Sequence, residues 1–99
     1  MEGRRVVGME YEYYVRLEYP EFPDPEKPLG VYRAPEGNLL RMEAFHRDHK
    51  WHYSEALARK FFEGDTMTVK KVSRASAVKA LKHITGVDRD FTETEETIQ

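Results

Sequence analysis

From Met9 to Tyr19 the chain alternates in steps of two: odd positions read Met, Tyr, Tyr, Val, Leu, Tyr, even positions Glu, Glu, Tyr, Arg, Glu. Period-two alternation among β-forming residues predicts a long strand with one face on a core and the other largely wet, the pattern of an antiparallel sheet. Val6 and Val7 extend the apolar run beyond Gly8, a position suited to a bulge. The stretch PEFPDPEKP, residues 20–28, holds four prolines and is excluded from a helix interior or a central strand, so it reads as a stiff loop. LGVYRA (29–34) and LLRMEAF (39–45) flank the turn cluster Pro35-Glu36-Gly37-Asn38 and predict a hairpin, although LLRMEAF is also rich in helix formers.

Trp51-His52-Tyr53 is a short extended piece followed by Ser54, which stands where a helix N-cap belongs. The helix EALARKFFE then places Leu57, Ala58, Phe61 and Phe62 on one face and stops at Gly64. TMTVKKV (66–72) predicts another strand. Ser73 caps a second helix, RASAVKALKHIT, whose apolar stripe is Ala77, Val78, Ala80, Leu81 and Ile84, and Gly86 ends it. Residues 88–99 are polar and acidic, without a period, and are expected to form a disordered tail. There is no internal repeat. The expected architecture is a single small α+β domain over residues 1–87: three to five strands, mostly antiparallel, with two helices packed on one face.

Composition narrows the chemistry. In 99 residues there is no cysteine, which excludes disulfide frameworks, thiol catalysis and cysteine-ligated zinc and agrees with a reducing, cytoplasmic setting. No apolar run approaches a membrane span, and the amino end lacks the apolar middle of a signal peptide. Net charge is −2, but it is unevenly spread. Residues 39–83 carry ten basic against five acidic side chains, while residues 84–99 carry one against five. The chain runs acidic, basic, acidic.

FHRDHKWHYS (45–54) gathers His46, His49 and His52 at three-residue spacing. In a strand the outer two lie about 20 Å apart with His49 on the opposite face. In a helix the outer two sit about 120° apart, which suits two metal ligands but not three. No metal site and no cofactor are therefore assigned. His46, Asp48 and His49 have the residue types for acid–base work, as in a small hydrolase or nuclease. No Walker loop, nucleophile elbow, H-E-x-x-H or Gly-rich dinucleotide turn accompanies them. The plain reading is a solvated corner with Trp51 anchoring the first helix.

Two surfaces remain. Lys70, Lys71, Arg74, Lys79 and Lys82 form a basic run that would suit phosphates, making a nucleic-acid binder the alternative reading. Tyr14 stands among Glu10, Glu12 and Arg16 on the strand face expected to be wet, and Tyr32 falls on the same face. Exposed tyrosine beside charge is typical of contact patches. Size and layout are similar to those of short proteins from bacterial or phage genomes, a likeness that transfers no residue. The leading expectation is a non-enzymatic protein-interaction domain using that face or an open sheet edge, with a homodimer among its possible partners.

Overall fold

The computed structural model describes residues 10–17, 29–64, 69–93 and 97–98. The Val6–Val7 extension, the Gly8 bulge, the proline-rich loop and the first residues of TMTVKKV lie outside them. The chain forms β1 (Tyr11–Arg16), β2 (Gly30–Pro35), β3 (Glu43–Phe45), β4 (Trp51–Tyr53), α1 (Glu55–Phe62), β5 (Val69–Val72), α2 (Arg74–Thr85) and β6 (Thr97–Ile98). Short 3-10 turns occupy Leu39–Arg41 and Phe91–Glu93. LLRMEAF is thus divided, its first half a turn and its second half β3, because only Glu43–Phe45 finds strand partners.

The sheet order is β5-β1-β2-β3-β4-β6. All neighbours are antiparallel except β4 and β6. This is the expected α+β class, but with six strands where the sequence predicts three to five, because Thr97–Ile98 adds β6 to the sheet. Both helices start at serine caps: Ser54 Oγ accepts from the Leu57 N–H at 3.2 Å, and Ser73 Oγ from the Ser76 N–H at 3.1 Å. Gly86 ends α2 at φ +70°, donating its N–H to the Lys82 carbonyl at 2.8 Å.

The helices do not share a face. Tyr13, Val15, Leu17, Val31 and Trp51 pack with Ala77, Ala80 and Leu81 of α2. Tyr14, Ala34 and Met42 pack with Ala58 and Phe61 of α1. Adjacent strand residues point to opposite sides, so α2 covers one face and α1 the other. The expectation of helices on one face fails at Tyr14, Ala34 and Met42, whose apolar side chains need cover of their own. Phe62, assigned from the sequence to the buried stripe of α1, is 69 % exposed.

The segment expected to be a disordered tail also differs. Phe91 is 2 % exposed within the α2-side core, and its carbonyl accepts from Trp51 Nε1 at 3.0 Å. Thr97 and Ile98 then pair with Trp51 and His52. Burial of Phe91, worth roughly 1.5–3 kcal/mol, adds to this pairing in holding an otherwise acidic stretch to the domain.

Candidate functional site

Two groups of charge lie on the sheet, one buried at its centre and one at the β1–β5 edge. On the α2 face, Arg33 of β2 stands opposite Glu43 of β3, with Nε 2.7 Å from Oε1. The Arg33 side chain is fully buried, and its guanidinium carbon lies 4.3 Å from the ring centres of both Tyr11 and Trp51. A charge so enclosed is tolerable only with an ionic partner and the negative faces of aromatic rings. Its role is to fix the β2–β3 register. The sequence reading passed over this pair, yet a signal existed: Arg33 shares the parity of core residue Val31, and Glu43 that of Phe45.

The α1 face carries the residues singled out from the sequence. Tyr14 is 8 % exposed, not wet, with its ring centre 5.0 Å from that of Phe61. Tyr32 is half-buried against the edge of the same phenylalanine at 6.2 Å. The expected open tyrosine patch is therefore roofed by α1. Glu10 and Arg16 remain exposed at the rim. Between them the Glu12 carboxylate accepts from Tyr14 Oη and from Lys71 Nζ, each at 3.1 Å. The Lys71 hydrogen bond, against some desolvation and helped by Tyr14, holds the Glu12 carboxyl below the ordinary range. Desolvation first, then the hydrogen bond to Glu12 and its charge, push the Tyr14 phenol up to about 12. A phenol that stays protonated at neutral pH and a carboxylate that stays ionised make a structural relay and a poor acid–base pair.

Beside this relay an open hollow of about 300 Å³ is lined by Tyr14, Leu39, Phe61, Gly64, Val69 and Lys71. It lies against β5, the last strand of the sheet among the described residues. From the sequence Phe61 is assigned only to the apolar face of the first helix, and Leu39 and Val69 only to strands, because only the return of α1 over the sheet brings them together.

At the other end, His46-Arg47-Asp48-His49 forms a tight turn between β3 and β4. The His49 N–H donates to the His46 carbonyl at 3.0 Å, and His49 adopts φ +63°. This is the three-residue hairpin loop whose last member is left-handed. Hairpin geometry, rather than a single strand or helix, brings His46 and His52 into ring stacking at 3.9 Å. His49 turns instead to Phe45 and Phe91. Asp48 bonds His52 Nε2 at 2.8 Å and the Lys50 N–H at 3.0 Å, so it orients neither His46 nor His49. Slight desolvation is outweighed by these bonds and by the nearby imidazoles, leaving the Asp48 carboxyl below its ordinary range. A second hollow, also about 300 Å³, includes His46, Arg47 and His49 with Leu29 and Ile84. Among the described residues no three His, Asp or Glu side chains are grouped to hold a metal ion.

The basic run is divided as well. Lys70 and Lys71 are consecutive strand residues and project to opposite faces. Lys71 is held by Glu12, Lys82 by Asp88 at 2.8 Å, and Arg74 by Thr92 at 2.8 Å with Asp90 3.6 Å away. Acidic residues after α2 thus neutralise much of its basic side. Among the described residues no helix is long and apolar enough to cross a membrane. Compared with known proteins, the chain matches no family model, no curated protein and no solved structure.

Proposed function

We propose that the chain is a non-enzymatic protein-interaction domain that receives an extended segment of a partner along the outer edge of β5. The observation that carries this reading is the conjunction of Val69–Val72, the terminal strand among the described residues, with the hollow that flanks it on the α1 face. An open edge offers unpaired backbone donors and acceptors, and a pocket beside it accepts every second side chain of an added strand. The rim residues Glu12, Arg16 and Lys71 supply charge there, while Tyr14 and Phe61 form the aromatic part of the hollow and Tyr32 packs behind them on β2. The lack of cysteine supports a cytoplasmic setting.

Nucleic-acid binding through Lys70, Lys71, Arg74, Lys79 and Lys82 is the weaker reading, because acidic partners already occupy three of these cations. The test is selection of peptides from a random library on the immobilised protein, followed by amide shift mapping in solution. Shifts concentrated at Val69–Val72 and around the hollow support the edge reading. Shifts confined to α2, or salt-sensitive binding of DNA or RNA there, would overturn it.

A further inference from the structure

Resting on the edge reading above, we infer that the segment added to β5 is acidic and of one pattern: apolar, acidic, acidic, apolar. Each position of β5 dictates its neighbour, because side chains directly opposite across antiparallel strands touch. The strand reads Val69-Lys70-Lys71-Val72. Lys70 and Lys71 are exposed, whereas Val69 and Val72 are half-buried and pack against the clusters of the α1 and α2 faces. On the α1 face the partner's apolar side chain beside Val69 meets the hollow formed with Tyr14, Leu39 and Phe61. Its next residue on that face lies beside Lys71. The other two positions, on the α2 face, lie beside Lys70 and Val72.

The charge balance of the edge agrees. Among the described residues, Arg16, Lys70 and Lys71 of β1 and β5 stand against the carboxylate of Glu12 within these strands and that of Glu10 at the end of β1. Lys71 already reaches Glu12 with one proton, leaving two N–H groups of its ammonium for a second carboxylate. Lys70 has no acidic partner among the described residues. The same lysines exclude a second copy of this chain: two β5 strands laid antiparallel set Lys70 of one against Lys71 of the other, the like-charge device that protects sheet edges. The edge is closed to itself and open to its opposite.

The experiment uses the whole chain and three end-capped octapeptides whose centres read Val-Glu-Glu-Val, Val-Thr-Thr-Val and Val-Lys-Lys-Val. Binding is followed by fluorescence anisotropy and located by amide shifts. The acidic peptide should bind at least tenfold more tightly than the basic one at low salt, with shifts at Val69–Val72 and a preference that shrinks as salt is added. Lys70→Glu combined with Lys71→Glu should reverse the order, and Lys70→Thr, which keeps a strand-forming residue, should bring the acidic peptide down to within a few-fold of the neutral one. Equal binding of all three with shifts at Val69–Val72 would overturn the acidic pattern and leave the edge reading standing. Binding without shifts at Val69–Val72, or no binding by any of the three, would overturn both.

Discussion

On one face of the sheet Trp51 and Phe91 meet Ala77, Ala80 and Leu81 of α2, and Arg33 and Glu43 are sealed among aromatic rings. On the other, the eight residues of α1 roof Tyr14 and Met42, and the cover gives out in a hollow beside β5. The same strands build both faces, so the difference comes from what lies over them. A twelve-residue helix with small residues at its contacts approaches closely, and the segment after it fills the remaining gap with Phe91. The shorter α1 ends at Phe62, and its last turn, with Phe61, borders β5 without filling the space beside it. The α2 face is filled at its centre and opens at its far end, in the hollow beside His46 and Ile84, whereas the α1 face opens beside the strand β5.

The comparison is broken most severely by Arg33→Met, which strands Glu43 in the filled centre of the α2 face. A loss of about 3–5 kcal/mol is expected in urea unfolding. Adding Glu43→Leu should restore much of that loss; a double variant no better than the single would show that the ion pair is not the reason. Next, Phe91→Ala should cost about 3–4 kcal/mol and Phe61→Ala about 2 kcal/mol, because the alanine at position 61 merely enlarges an open hollow whereas that at 91 leaves an enclosed cavity. Equal costs would mean that the faces are equally closed. Sensitivity of Phe91 this high also predicts that deleting residues 88–99 destabilises the domain instead of freeing its basic run.

A smaller effect on the α1 face is read through pH. Folding raises the Tyr14 phenol from 10.0 to about 12 through burial and the Glu12 carboxylate. A group raised on folding contributes fully below its unfolded value, and the contribution fades as pH rises through the folded one. Between pH 10 and 12 the parent should therefore lose about 1–2 kcal/mol more than Tyr14→Phe, measured by urea unfolding at each pH. Parallel profiles would place the phenol in water. The smallest effect lies at the turn. At φ +63° position 49 tolerates glycine better than alanine, so His49→Gly should be more stable than His49→Ala by about 1 kcal/mol. A reversed order would mean that the turn relaxes when its ring contacts are lost.

Much of the fold was legible along the chain. Ser54 and Ser73 mark helix starts, and Gly64 and Gly86 mark helix stops, because caps satisfy local backbone groups irrespective of the rest of the protein. The alternation in β1 likewise identifies a strand. It did not identify the cover over Tyr14, since a tyrosine flanked by Glu12 and Arg16 has the same local pattern whether water or Phe61 lies above it. The acidic letters of residues 88–99 likewise conceal the ring that helps to dock them.

By itself the sequence determined the α+β class, the two capped helices, the hairpin after β1 and the absence of thiol chemistry, all properties of residues close together in the chain or of its totals. Only the tertiary structure decided that α1 and α2 take opposite faces, that Arg33 meets Glu43, that His46 stacks on His52 and that a hollow opens beside β5. These depend on which distant apolar surfaces find one another when water is excluded, a choice that periodicity constrains but does not make.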